Sequence, residues 1–365
     1  MSPERTVGID LRMWGHPGIG RYIRELTAAL FKLEDPARFV LLTYQADEAD
    51  VHARLPGAVL ERGRSRIYSV SEQAELSAFS GRVGLLHVPH FNAPFLCKAK
   101  LVATVHDLIY LKESRFSGSF LGKAYVRALL TGVERNASAV IAVSDFTRRD
   151  LETAFPKTAG KVQVIHEAAS EIFCRAAHAQ PEHLRFGISE EYVLFVGSLK
   201  AHKNLPVLLD AFETLVRDKK TGAQLVIVGK KDPKEEALFR RAAGSEFVRY
   251  LGPRSDEELA HLYRGARALV IPSLWEGFGL PAVEAMACGT PVLCSDRASL
   301  PEVVGDAGLL FDPERVDRLA ELLYNVLIDR DLRNTLSQKG LQRAKCFSWE
   351  NAASQTLKLY EKVSG

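Results

Sequence analysis

Cysteine is sparse and unpaired in this chain. Cys97, Cys174, Cys288, Cys294 and Cys346 are dispersed, with no CxxC spacing. That argues against a zinc site or a disulfide framework and leads us to expect reduced thiols in a cytoplasm. No run of about 18 apolar residues occurs, so no membrane-spanning helix is expected. The opening Met-Ser-Pro-Glu-Arg lacks the apolar stretch of a signal peptide. A net charge of +3 over 365 residues is too small to point to nucleic acid. Walker A, GxGxxG and GxSxG spacings are missing, which disfavours P-loop, dinucleotide and nucleophile-elbow chemistry. Neither an internal repeat nor a low-complexity segment is present.

What remains is an ordinary globular composition, 47% hydrophobic and 25% charged, in a chain long enough for two domains. Strand-like runs such as Val7-Gly-Ile9, Leu101-Val-Ala-Thr-Val105, Tyr192-Val-Leu-Phe-Val196 and Gln224-Leu-Val-Ile-Val228 alternate with helical patterns such as 20–33, 205–217 and 315–328. Continuous apolar strands between helices indicate parallel sheets covered on both faces. The polar segment 174–183 reads as a linker. The expectation is an α/β chain of two doubly wound domains, 1–180 and 181–345, followed by a C-terminal helical segment, 346–365.

The most informative stretch is Ser273-Leu-Trp-Glu-Gly-Phe-Gly-Leu-Pro-Ala-Val-Glu-Ala-Met-Ala-Cys-Gly-Thr-Pro-Val292. It follows the apolar run 268–271. Pro281 suits the first helical position and Gly289 a left-handed helix end. The unit reads strand, glycine-broken loop, short helix, strand. It presents Glu276, Glu284 and the amides around Gly277, Phe278, Gly279 and Leu280 at one helix N-terminus, a place for a phosphate or a sugar hydroxyl. An ordinary βα turn explains the glycines alone. It does not explain Trp275, Phe278 and Leu280 beside the two acids.

Val196-Gly-Ser-Leu-Lys-Ala-His-Lys-Asn204 is a strand end, a basic loop and a helix start, an arrangement suited to a diphosphate, with Lys203 as the cation. Gly15, Gly18 and Gly20 precede the first long helix and allow close approach to the backbone, although a plain turn reads equally well. His106 and Asp107 follow a strand, where α/β sheets bind ligands; a buried structural histidine is the competing explanation. His87 and His90 lack an evident third ligand, and Asp329-Arg-Asp331 falls at a helix end on a solvated face, so no metal site is assigned.

Taken together these residues resemble the family 4 glycosyltransferases, which have the GT-B fold. The resemblance rests on the E-x7-E pair Glu276 and Glu284, GSLKAHKN from Gly197, HD at His106, AVSDFT from Ala142 and GIGRY from Gly18. HVPHFN from His87 is similar to bacterial members that transfer mannose in polysaccharide assembly. The resemblance implies two Rossmann-like domains facing a central cleft, the last helix returning to the first domain. It also implies retaining, metal-independent transfer from a nucleoside-diphosphate sugar, with no other cofactor. Carried over by position, Glu284 would bind ribose hydroxyls, and Glu276 with the amides of Phe278 to Leu280 would hold the donor sugar. Lys203 would neutralise the diphosphate, His106 would contact the sugar near the reacting carbon, and the Gly18 loop would border the diphosphate. Many members carry Arg where this chain has Ser198, which removes one of two expected cations; Lys200 is the candidate to compensate.

The expected function is mannosyl transfer from GDP-mannose to a glycan or lipid-linked glycan, in the cytoplasm or peripherally at the inner membrane face. A UDP-sugar donor, an epimerase or phosphorylase on the same fold, and a sugar-nucleotide-binding protein without transfer activity stand as alternatives. The mixed apolar, glycine and basic segment from Phe116 to Leu130 could lie on a membrane surface, although a loop and an ordinary packed helix is the preferred reading.

Overall fold

A computed structural model describes residues 6–112, 120–174, 185–219 and 221–365. The chain forms two compact units: Met1–Glu167 with Ser348–Gly365, and Ala168–Phe347.

The first unit runs β1 (Val7–Asp10), α1 (Ile19–Leu33), β2 (Phe39–Thr43), α2 (Glu48–Arg54), β3 (Val59–Arg62), α3 (Val70–Ser80), β4 (Leu85–Val88) and β5 (Lys100–Val105). It continues with α4 (Ile109–Lys112), α5 (Phe120–Asn136), β6 (Ala139–Ala142), α6 (Asp145–Ala154) and β7 (Val162–Val164). Its seven strands lie in the order β3-β2-β1-β4-β5-β6-β7, every pair parallel. The strands are apolar on both faces because helices cover them: Leu76 and Phe79 of α3 and Leu129, Leu130 and Val133 of α5 join one core with Leu86, Leu101 and Val140.

The second unit runs α7 (Glu171–Cys174), β8 (Tyr192–Val196), α8 (Leu205–Lys219), β9 (Gln224–Val228), α9 (Glu236–Gly244), β10 (Val248–Gly252), α10 (Asp256–Gly265) and β11 (Ala268–Ile271). There follow α11 (Leu280–Ala287), β12 (Val292–Ser295), α12 (Leu300–Val304), β13 (Leu309–Phe311), α13 (Val316–Ile328) and α14 (Arg330–Ala344). The six strands are again all parallel, in the order β10-β9-β8-β11-β12-β13. Leu208, Leu209 and Phe212 of α8 and Leu319, Leu323 and Val326 of α13 share its core. The chain then returns to the first unit with α15 (Trp349–Ser364). There Trp349 meets Tyr22 of α1 edge-on at 5.9 Å.

The units divide between Glu167 and Ala168, ahead of the polar segment expected to link the domains, of which residues 175–184 lie outside the described residues. The reason is α7, which belongs to the second unit. Phe173 is buried edge-on against Tyr263, and the carbonyls of Ile172 and Phe173 accept hydrogen bonds from Arg264 and Cys288.

In each sheet the strand order reverses once, between β1 and β4 and between β8 and β11. Adjacent connections leave in opposite directions there, and a crevice opens outside the carboxyl ends of the strands. Among the described residues no helix is long and apolar enough to cross a membrane.

Candidate functional site

The reversal point of the second unit brings together the loops after β8 and β11. After β8 the backbone turns at Gly197, with φ +156°. The loop after β9 comes so close that a Cβ on Gly229 would lie 1.9 Å from the Gly197 carbonyl oxygen. A short 3-10 turn, Ala201–Lys203, then leads into α8 through left-handed Asn204. After β11 the chain passes Ser273 to Gly279 and enters α11 at Leu280, with Gly279 left-handed at the helix cap. Leu274 N–H donates to the His202 carbonyl at 2.8 Å, tying the two loops. The Ser299 hydroxyl lies 2.9 Å from the carbonyls of both Glu276 and Phe278. Phe278 is buried edge-on against Phe347 at 5.5 Å, so it anchors the loop.

Across this junction Lys203 Nζ donates to both carboxylate oxygens of Glu276, at 2.7 and 2.9 Å, and Ser273 Oγ adds a bond of 2.6 Å. Burial opposes the Glu276 charge, but Lys203 and Ser273 outweigh it and hold the pKa below the usual carboxylate range. Burial, with Lys203 alongside, pushes His202 down to about 4, so it is neutral near pH 7. Glu284 lies buried in α11 and accepts a bond of 2.9 Å from Tyr263 of α10. Ser198 and Lys200 sit on the β8 loop, half-buried and exposed respectively.

The reversal point of the first unit carries a different set. His106 follows β5 and is held at both ring nitrogens, Nδ1 by Glu167 at 3.0 Å and Nε2 by the Pro89 carbonyl at 3.0 Å. A carbonyl only accepts, so Nε2 carries a proton, and Nδ1 faces a carboxylate. Burial works against the charged ring, yet Glu167 and Pro89 raise its pKa, and the imidazolium is favoured. The Thr147 hydroxyl, on α6, fixes the His106 carbonyl at 3.1 Å. The role expected for the His106 ring on a donor sugar therefore meets a ring whose nitrogens are already engaged.

After β1, Arg12 is buried with Asp10, Glu72 and Glu75 around it at 2.7–3.1 Å. Glu72 also accepts from Asn92 Nδ2 and from the Tyr68 amide, each at 2.6 Å. Tyr68, left-handed at φ +66°, reaches His90 Nε2 with its hydroxyl at 2.5 Å. His87 is taken up structurally by Tyr360 and Thr104, at 2.6 and 2.9 Å. Among the described residues no group of three His, Cys, Asp or Glu side chains is placed to share a metal ion.

The structure thus joins Lys203 to Glu276 and places Gly277, Phe278, Gly279 and Leu280 at the head of α11. Gly289 is left-handed after α11, as expected, and Pro281 occupies the second helical position rather than the first. Asp329 caps α14 through the Leu332 amide. Of the glycines expected to precede the first helix, Gly20 in fact lies in the first turn of α1 and has a packing reason, since its Cβ would meet the Trp14 carbonyl at 2.3 Å, whereas Gly18, at the cap, faces open space. Residues 116–119 of the segment weighed as a membrane surface lie outside the described residues. Tyr68, Glu72, Asn92, Arg12 and Glu167 were not anticipated. Two signals were visible: HVPHFN, which ends in Asn92, and Ser69-Val-Ser-Glu72, a capping-box spacing whose Ser69 does cap α3.

Comparison with known proteins covers both units. Residues 17–169 match the family described as Glycosyltransferase Family 4, and residues 179–343 match Glycosyl transferases group 1. The chain is 33% identical to O-antigen chain mannosyltransferase B of Escherichia coli over 283 residues, 76% of this chain and 74% of that protein. It is 28% identical to the serotype-specific mannosyltransferase WbdA of Escherichia coli, of which it spans only 34%. In fold it is similar to HepE of Anabaena, solved with UDP and glucose, with a TM-score of 0.80, 18% identity and coverage of 98% and 100% of the two chains.

Proposed function

The chain belongs to the group 1, family 4 glycosyltransferases, and on that premise we propose that it transfers mannose from GDP-mannose, with retention and without a metal, to a glycan or lipid-linked glycan. The observation that carries this reading is the Lys203–Glu276 pair at the head of α11. It supplies one cation, one carboxylate and a helix N-terminus within a single reversal point. The mannosyl choice is supported by O-antigen chain mannosyltransferase B, which covers most of the chain.

In the proposed roles, Lys203 and the Ser198 loop take the diphosphate. Glu276, the Gly277 loop and the amides of Phe278, Gly279 and Leu280 hold the sugar, and Glu284 takes the ribose. Lys203 must exchange part of its contact with Glu276 for the departing diphosphate. That exchange couples leaving-group charge to sugar binding, because the carboxylate is released toward the sugar as the cation turns to phosphate. The anomeric C–O bond to diphosphate breaks, the acceptor hydroxyl forms the new C–O bond on the same face, and its proton passes to the leaving phosphate oxygen. No side chain is assigned as a covalent nucleophile. His106 is held at the end of β5 by Glu167 and the Pro89 carbonyl, and Glu167 favours its protonated form. An acceptor carried on a lipid would bring the chain to the inner face of a membrane.

A thermal-shift panel of GDP, UDP and ADP tests the base. A ligand at about 100 times its Kd adds roughly 2.7 kcal/mol of stability. Stabilisation by UDP but not GDP would overturn the donor assignment. Transfer that persists in EDTA, with product NMR showing the α-anomer from α-linked donor, tests metal independence and retention; an inverted product or loss of activity in chelator refutes them.

A further inference from the structure

The reversal point of the first unit has polar groups that the protein itself leaves unmet. His90 is 6% exposed, and its Nδ1 has no hydrogen-bond partner. Burial, with His106 and His16 nearby, keeps the ring neutral. Whichever nitrogen carries the proton, Nδ1 is then either an N–H without an acceptor or a lone pair without a donor. Two residues on, Asn92 is 1% exposed and uses its amide N–H on Glu72, while Oδ1 has no partner. Two unmet side-chain atoms in one short segment after β4 are unusual in a native protein and call for an occupant.

Tyr68 lies over this segment. Its hydroxyl ends on His90 Nε2 and its ring stacks near Phe91 at 6.2 Å, yet the residue remains 41% exposed. Its backbone is left-handed, a conformation that a bulky side chain adopts at a cost and only when surrounding structure imposes it. Here Glu72 imposes it, holding the Tyr68 amide at 2.6 Å, and Arg12 and Asn92 hold Glu72. Three elements therefore combine to hold one strained tyrosine against the segment that carries the two unmet polar atoms.

The chemistry points to a neutral, hydroxyl-rich ligand. Arg12 is fully engaged by Asp10, Glu72 and Glu75, so it offers nothing to an anion. His90 and Asn92 offer one site each to a hydroxyl, which both donates and accepts. The negative π-face of a tyrosine matches the weakly positive C–H face of a pyranose ring. A half-exposed Tyr110, electrostatically coupled to Tyr68, stands next to it.

We propose that Tyr68 is a hinged cover over a sugar subsite floored by His90 and Asn92, and that this subsite takes a hexopyranose residue of the acceptor glycan. The ring swings from His90, the sugar hydroxyls take His90 and Asn92, and the ring packs on the pyranose face. The assignment of the sugar to the acceptor rests on the transferase reading above.

Steady-state transfer from GDP-mannose to p-nitrophenyl α-D-mannopyranoside, with both substrates varied, tests it in wild type, Tyr68→Ala and Tyr68→Phe. Tyr68→Ala is expected to raise the acceptor KM at least about tenfold while the donor KM stays within about twofold, and Tyr68→Phe, which keeps the ring, to raise the acceptor KM less. An unchanged acceptor KM in Tyr68→Ala, or equal rises in both KM values, overturns the subsite. If wild type neither transfers from nor hydrolyses GDP-mannose, the transferase reading has failed instead. Saturation-transfer NMR with methyl α-D-mannopyranoside then decides the subsite alone: a signal lost in both Tyr68→Ala and Asn92→Ala supports it, and no signal in wild type, or one retained in both folded variants, refutes it.

Discussion

Lys203 and Glu276 make separable contributions to stability and to chemistry. Their side chains are only 17% and 12% exposed, so removing the lysine strands a mostly buried carboxylate. Lys203→Ala is expected to cost about 3 kcal/mol, the low end for breaking a buried pair. Adding Glu276→Gln should restore much of that loss in a thermal melt without restoring turnover. For Lys203→Ala itself kcat should fall far more than donor KM rises, since the cation meets charge that develops as the diphosphate departs; a normal kcat would refute the role. The His106–Glu167 pair gives a pH signature of opposite sense to an ordinary carboxylate. Because the folded pKa of His106 is raised, its stabilisation is complete below the usual value of about 6.5 and disappears as pH rises through the folded value. Glu167→Gln should therefore lower Tm more at pH 6 than at pH 9, and equal losses at both would show the ring to be neutral in the fold. These residues differ in how readable they were. Lys203 and Glu276 announce themselves through short spacings to a strand end and a helix start. Glu167 and Tyr68 act through partners 61 and 22 positions away, and no local pattern carries such distances.

At the level of elements, two glycines two residues apart separate packing from ligand approach. Gly20→Ala would drive a Cβ to 2.3 Å from the Trp14 carbonyl and should cost about 1–3 kcal/mol. Gly18→Ala meets no atom within 4 Å and should change stability by less than about 0.5 kcal/mol. If a diphosphate passes close to this turn, the same Gly18→Ala variant raises donor KM; a donor KM unchanged beside unchanged stability would remove Gly18 from the site. Strands and helices were legible wherever burial was two-sided. The apolar runs of β5, β8 and β9 could hardly be misread. The strands without that signature are the sheet edges. In β3, Val-Leu-Glu-Arg is half-exposed throughout, and β13 is three residues long with Leu310 exposed. An edge strand with one neighbour needs no continuous apolar run, so both were invisible to hydrophobic periodicity. The division between units was displaced for a related reason: α7 is a single turn, and only its contacts with α10 and α11 show which unit owns it.

For the whole molecule, the chain order does not match the division into units, because α15 completes the first unit after the second has been made. The helix buries Trp349, Leu357, Leu359 and Tyr360, and the Tyr360 hydroxyl serves His87 inside the first sheet. At about 1.5–3 kcal/mol for each large apolar side chain withdrawn from water, these four alone rival the 5–15 kcal/mol that a typical domain has in total. Their loss would also leave α1 with an uncovered apolar face and His87 with an unmet nitrogen. Truncation after Phe347 is therefore expected to unfold the first unit selectively. The second unit keeps its sheet, its α8–α13 core and the Lys203–Glu276 pair, none of which draws on residues beyond 347. Hydrogen exchange should show protection lost in β1, β4 and β5 and retained in β8, β9 and β11. Nucleotide binding should persist while transfer disappears. Retained protection in β1 and β4 would mean that the first sheet is stable without its last helix, and that the return of the chain serves some purpose other than closing the core.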